Sequence, residues 1–245
     1  MIVNYPRMRR RAAWPNDLDT ALQFASPNPF SISAPLNWDG KLEYTNGSGW
    51  KTWDGSAIAS GEIENNHCIY LRGTGNSKIT GANSSDAKWS IIGTNIACNG
   101  DVDLLLDYST VKGGNRPSMT NYCYYSMFQG CTSLTTAPSL PATTLANYCY
   151  SYMFQGCTSL TSAPSLPATT LANYCYRSMF YGCKKIKLST TTSGTYTKSY
   201  RIPKSGTGTT ASRALDSMFS NTGGTFNGTP TINTTYYLDK SNTIV

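Results

Sequence analysis

The middle of the chain repeats itself every 26 residues, and no other feature constrains the fold as strongly. The copies read NYCYYSMFQGCTSLTTAPSLPATTLA from Asn121, NYCYSYMFQGCTSLTSAPSLPATTLA from Asn147 and NYCYRSMFYGCKKIKLSTTT from Asn173. Met-Phe recurs at 127–128, 153–154 and 179–180, and a fourth pair, Met218-Phe219, follows 39 residues later, after one and a half periods. A period in the twenties predicts a solenoid, whose units bury their apolar sides only against their neighbours. Such stacks serve mostly as recognition surfaces, which turns the reading away from catalysis.

Two periods coexist within one repeat. Tyr124, Met127, Phe128 and Cys131 stand at i, i+3, i+4 and i+7, the apolar stripe of a short helix. Asn121, Asn147 and Asn173 precede each stripe as N-caps, and Gly130, Gly156 and Gly182 follow it where a left-handed residue is wanted. Residues 134–138 read as extended, and Pro138, Pro141, Pro164 and Pro167 forbid helix in the corner that follows. The expectation is one short strand, one Pro-rich corner and one short helix per turn. The six repeat cysteines (Cys123, Cys149, Cys175 and Cys131, Cys157, Cys183) then form two ladders of small buried hydrophobes rather than disulfides.

The flanks read differently. Residues 1–20 form a basic, proline-punctuated arm expected to order only against a partner chain, and 21–112 an all-β domain, a small sandwich. The repeats occupy 113–226, and 227–245 are a C-terminal cap or tail. Strand-like runs LEYTN, IYLRG and WSIIG alternate with turn signals at Asp39-Gly40, Asn46-Gly47, Asp54-Gly55 and 73–75. Trp38, Trp50, Trp53 and Trp89 are assigned to core and rim. Residues 101–108, DVDLLLDY, alternate enough to be a strand that caps the exposed first repeat.

Only 13% of the residues are charged, against about a quarter in an average domain, and hydroxyl and amide side chains are abundant. Such a surface suits the exterior of a particle or cell. Of 20 basic residues four (Arg7, Arg9, Arg10 and Arg11) crowd into five positions, which leaves 16 against 13 acidic ones elsewhere. The body is therefore nearly neutral, and a nucleic-acid footprint is not expected. The first 24 residues hold no apolar run of signal-peptide length, and no membrane insertion is expected. With a single histidine, His67, placed in a turn, a Ser-His-Asp or Cys-His triad has little to build on. Asp101 and Asp103 fall on one solvated face of the expected strand. No active site, metal or cofactor is expected.

The pattern M-F-x-G-C-x-x-L followed by A-P-x-L-P-A-T-T-L-A, at 127–146 and 153–172, resembles the BspA-like leucine-rich repeats of bacterial surface antigens. The likeness covers about 113–226 and weakens at Lys184-Lys185-Ile186 and at Thr222, which stands where cysteine is expected. Leu42-Glu-Tyr, 50–55 (WKTWDG) and 70–76 (YLRGTGN) look like the β-domain that precedes such repeats in proteins of gut bacteria and their phages. The resemblance implies a mainly β chain with short helices: a small all-β domain, then a leucine-rich-repeat solenoid of about four 26-residue turns. It also implies a non-enzymatic adhesion protein on the virion surface of a tailed bacteriophage, with the repeats against a host glycan or protein. The alternatives are a structural capsid or tail decoration protein and a bacterial cell-surface adhesin. Positions that vary within the fixed frame are the candidate contacts: Tyr125, Gln129, Thr135, Gln155, Thr161, Arg177, Tyr181 and Lys187. Arg7, Arg9, Arg10 and Arg11 are the candidate anchor to other virion proteins, together with the β-domain, and a homo-oligomer is compatible with this reading.

Overall fold

The structure, a computed structural model, describes residues 14–245. It is mainly β, with two short helices, Ser84–Ala87 and Leu104–Lys112. In the N-terminal part the strand Leu22–Ser26 lies antiparallel between Asn66–Thr74 and Ile96–Asn99, and Lys41–Thr45 continues the sheet on the far side of Asn66–Thr74. Alternate apolar residues explain this sheet: Leu22, Phe24, Ile69 and Leu71 are fully buried. A second sheet of Ile58–Ala59, Ser31–Ser33 and Ser90–Ile92 closes over the same core. Trp53 anchors that core, stacked on Trp38 at 5.4 Å and edge-on to Trp89 at 5.2 Å.

The packing continues without a break into the repeats. Phe128 meets Phe24 at 6.0 Å and Trp89 at 6.1 Å, and Leu134–Thr136 adds to the first sheet as a parallel neighbour of Ile96–Asn99. Residues 26 apart then stack on one another. Phe128, Phe154 and Phe180 lie face to face at 5.8 and 5.6 Å, and Phe219 extends the row at 5.3 Å. Tyr124, Tyr150 and Tyr176 form a second buried row at 5.4 and 5.9 Å. All eight cysteines are free and buried, including the six of the repeats.

The expected helices are absent from the repeats, although their apolar stripe is buried as expected. Every fourth residue is left-handed: Tyr122 (φ 64°), Ser126 (φ 53°) and Gly130 (φ 79°) in the first unit, with the equivalents in each later one. The chain therefore runs as successive turns. Amides alternate in their use. Tyr125, Met127, Gln129 and Cys131 donate three residues back, whereas Tyr122, Tyr124, Ser126, Phe128 and Gly130 donate to carbonyls of the next unit at 2.8–3.0 Å. A helix would spend all of these donors internally; here five per junction join neighbouring units, each contributing about 1 kcal/mol net. Asn121 and Asn147 are likewise not N-caps, because their side-chain carbonyls accept from the amides of Asn147 and Asn173.

Both ends of the stack are covered. On the N-terminal side, the amides of Ile79 and Thr80 bond to Cys123 O, Trp89 to Met127 O and Ile96 to Ser133 O. Residues 79–96 thus occupy the place of a preceding unit. The segment at 101–108 is not the expected capping strand. Leu104, Leu105 and Leu106 are all buried, which strand alternation cannot achieve, and they open the helix Leu104–Lys112. Gly73 is not a turn residue either: it lies inside Asn66–Thr74, and a Cβ there would stand 1.6 Å from the Leu105 carbonyl oxygen. At the other end, the unit from Ser212 accepts from Tyr174, Tyr176, Ser178, Phe180 and Gly182, and Thr222 Oγ1 donates to Phe219 O at 2.8 Å. Thr243–Ile244 then pairs in parallel with Ser162–Ala163, taking the position that the third unit's strand would occupy. Asn242 fills the gap, donating to Thr161 O and Lys185 O and accepting from the Lys187 amide.

Part of the expected arm is docked on its own chain. Trp14 meets Tyr70 edge-on at 5.6 Å, and Asp17 accepts from Trp50 Nε1 at 2.9 Å and from Arg72 at 2.5 Å. Arg72 in turn lies over Trp50 at 3.9 Å and Tyr108 at 4.4 Å. Residues 14–20 therefore order without a partner chain. Arg7, Arg9, Arg10 and Arg11 lie outside the described residues.

Candidate functional site: a tyrosine row across the repeats

The turn-built arm of each unit presents one tyrosine at its first left-handed position. Tyr122, Tyr148 and Tyr174 are half-buried and stack nearly parallel, at 4.7 and 4.5 Å with interplanar angles of 11° and 5°. Tyr125 closes edge-on against Tyr122 and Tyr152, each at 5.5 Å. The Arg177 guanidinium sits over the rings of Tyr152 and Tyr174 at 5.5 and 5.6 Å. Partial burial raises the phenol pKa of Tyr125, and the Tyr152 ring adds to it; burial and Tyr174 do the same for Tyr148. At neutral pH both are O–H donors.

This row is held at an energetic cost. Tyr122, Tyr148 and Tyr174 have φ of 64°, 59° and 58°, a region in which a residue with a Cβ loses roughly 1–2 kcal/mol. Ring stacking returns about 0.5–1.5 kcal/mol per pair, and three tyrosines make two pairs. The same left-handed backbone recurs at Arg213 in the fourth unit and at Ser126, Tyr152, Ser178 and Ser217, and it is this backbone that releases five amides per junction to the neighbouring unit. Asparagine would suit the same backbone with less strain.

The sequence candidates divide between two arms of the units. Tyr125 and Arg177 belong to the tyrosine row, while Ser151 between them is buried and donates to Arg177 O at 3.3 Å. Gln129 donates to the Gln155 side chain, so the two amides are spent largely on each other, and Tyr181 at the equivalent position is 39% exposed. Thr135 and Thr161 lie on the strand arm instead. Their hydroxyls donate to Ile96 O and Thr135 O, both at 3.1 Å, which leaves them as parts of the ladder rather than free contacts. Lys187 is half-buried at the Asn242 junction. Tyr122, Tyr148, Tyr152 and Tyr174 were not singled out from the sequence. The first, second and fourth are identical in the three NYCY copies, with Arg213 at that place in the fourth unit, and identity between copies reads as packing; the signal was the second tyrosine in N-Y-C-Y, where only Tyr124, Tyr150 and Tyr176 are needed inside.

The other groups with chemical potential are mostly buried or paired. Burial pushes the Cys131, Cys175 and Cys183 thiols up to about 12, so they hold no thiolate at neutral pH. His67 is not in a turn but near the start of Asn66–Thr74, paired with Ser26 and Glu62; the turn is made by left-handed Glu64 and Asn65 before it. Asp101 and Asp103 are not a solvated pair. Asp103 is fully buried at the head of Leu104–Lys112, where burial and the nearby Asp101 raise its pKa to about 6. It accepts from Tyr124 Oη at 3.1 Å and faces Arg116 at 3.5 Å, and Arg116 also pairs with Asp101. A cavity of about 280 Å³, lined by residues 116–119 and 142–145, lies beside Arg116 and contains no nucleophile with an adjacent base. Among the described residues no group of three or more His, Cys, Asp or Glu side chains could hold a metal, and no helix is long and apolar enough to cross a membrane.

No protein-family model, no curated protein and no solved structure matches this chain.

Proposed function

We propose that this chain is a non-enzymatic surface protein of a tailed bacteriophage virion. In this reading a small all-β domain carries a BspA-like leucine-rich-repeat solenoid of about four turns, which contacts a glycan or protein of the host surface. The observation that supports it most is the tyrosine row: half-buried aromatic side chains recur across three stacked units, with the Arg177 guanidinium over two of the neighbouring rings. Tyrosine and arginine are favoured contact residues, and regular repetition suits a partner that is itself repetitive. The basic arm and the β-domain would attach the protein to other virion proteins. A single face of this kind binds weakly, and many copies on a particle would raise the avidity by orders of magnitude.

The decoration reading has its own support. The Gln129–Gln155 pair and the hydroxyls of Thr135 and Thr161 are engaged with neighbouring units, so those positions serve cohesion more than recognition. The two readings separate in one experiment. The full chain, multimerised on a fluorescent scaffold, is applied to a panel of gut bacteria. Saturable binding to particular strains is the expected result; absence of binding to all, with normal adsorption by particles lacking the protein, would favour decoration. A bacterial adhesin would instead be found by antibody on intact cells of the producing strain.

A further inference from the structure

We propose that the row of Tyr122, Tyr148 and Tyr174, with Tyr125, Tyr152 and Arg177 beside it, is a binding face for an acidic polysaccharide laid across the repeat units. This deepens the adhesion reading above and rests on it. The rings of the row lie face to face, so the inner π-faces are closed by one another and a ligand along the row meets edges and hydroxyls. Between the rings of the row no face is left for a sugar to stack on. This leaves phenol hydroxyls stepped at about one unit spacing, which suits a polymer rich in hydroxyl and carboxylate acceptors.

Three further observations select the ligand class. Small-molecule sites are concave; four cavities of about 270–360 Å³ among the described residues are lined by residues outside the row, and three rings stepped across the units suit an extended chain. Arg177 supplies the charge. Arg72, Arg116 and Arg213 pair with carboxylates and Arg201 donates to Pro203 O and Asn233 Oδ1, while the contacts of the Arg177 guanidinium among the described residues are the rings of Tyr152 and Tyr174. A cation held over aromatic rings without a counter-ion is complementary to an anionic group on the partner. Finally, the most exposed large aliphatic residues lie elsewhere, Leu36 in the bend after Ser31–Ser33 and Ile92 at the end of Ser90–Ile92, so the face offers hydroxyls and ring edges and no exposed aliphatic centre.

The test uses the full chain on immobilised polygalacturonate and, beside it, neutral dextran. The wild type should prefer polygalacturonate by at least about tenfold, and the preference should fade in about 0.5 M salt as charges are screened. Tyr148→Asn, which places a residue suited to left-handed backbone, and Arg177→Gln should each lose about tenfold in affinity while melting within a few degrees of the wild type. Equal binding to both polymers, no binding to polygalacturonate, or unaltered binding by both variants would overturn the proposal. Binding of the same three proteins to intact bacteria keeps its failure distinct from that of the adhesion reading. Wild-type attachment to cells without polygalacturonate binding would reject the ligand class alone, and attachment unaltered in Tyr148→Asn would reject the face alone. Lack of attachment by the wild type would reject adhesion itself.

Discussion

At Asp103 a carboxyl group with 1% of its side chain exposed shares the core with stacked tyrosines, and its Oδ2 faces the Arg116 guanidinium at 3.5 Å without a close hydrogen bond. Burial, with Asp101 second, raises its pKa to about 6 from 3.8. Folding therefore favours the protonated form. Below about pH 4 both states hold the proton and Asp103 is neutral to stability. Between about pH 4 and 6 the unfolded chain releases its proton first, so the fold loses stability as pH rises, and the loss is constant above that. At about 1.4 kcal/mol per unit the full effect is of order 3 kcal/mol. Asp103→Asn should raise stability at pH 7 and flatten the slope of urea midpoint against pH between 4 and 6; an unaltered slope would mean that another group carries it. The thiols give a second residue-scale expectation. None of the eight cysteines should alkylate in the native protein, and all eight should do so in non-reducing denaturant, whereas disulfide-linked peptides would contradict the two ladders.

For the repeat unit as an element, the left-handed glycines separate backbone from packing. A Cβ at Gly156 would meet the Cα of Gly130 at 3.8 Å, an ordinary contact, so space is not what requires glycine there. The requirement is φ 74°, and Asn221 occupies the equivalent position of the last unit with φ 60°. Gly156→Asn should then cost less than about 1 kcal/mol and Gly156→Val clearly more, by chemical denaturation. The sequence made the burial of each unit legible, because Tyr124, Met127, Phe128 and Cys131 all face the core. It left the backbone ambiguous. A stripe at i, i+3, i+4 and i+7 is shared by a helix and by successive turns with a left-handed residue every four, and only the amides leaving the unit tell them apart. The run Leu104-Leu105-Leu106 misled for the opposite reason: local alternation of Asp101 and Asp103 was read ahead of three adjacent apolar residues that need burial together. Of the candidate contacts, Tyr125 and Arg177 were legible as variable positions. Tyr122, Tyr148 and Tyr174 were hidden by their identity in the three NYCY copies.

On the scale of the whole molecule, one apolar core runs from Leu22 through the repeats to Leu238, and the C-terminal strand Thr243–Ile244 is seated within the stack. Heat or urea should therefore unfold residues on both sides of position 112 in one transition, followed by the fluorescence of Trp53 and Trp89 beside far-ultraviolet circular dichroism. Two separated transitions would instead make the β part an independent unit. A continuous core also explains how a weak face becomes useful: it fixes the tyrosine row rigidly to the part proposed to sit on the particle, so that many copies present it in register. The most direct measurement of that role is competition. The multimerised wild-type chain and its Tyr148→Asn variant are each added in excess to host cells before the phage, and the free particles remaining are counted. The wild type should block adsorption and the variant should not. Adsorption that proceeds equally in the presence of either protein, with both shown to be folded, would contradict a role in host contact.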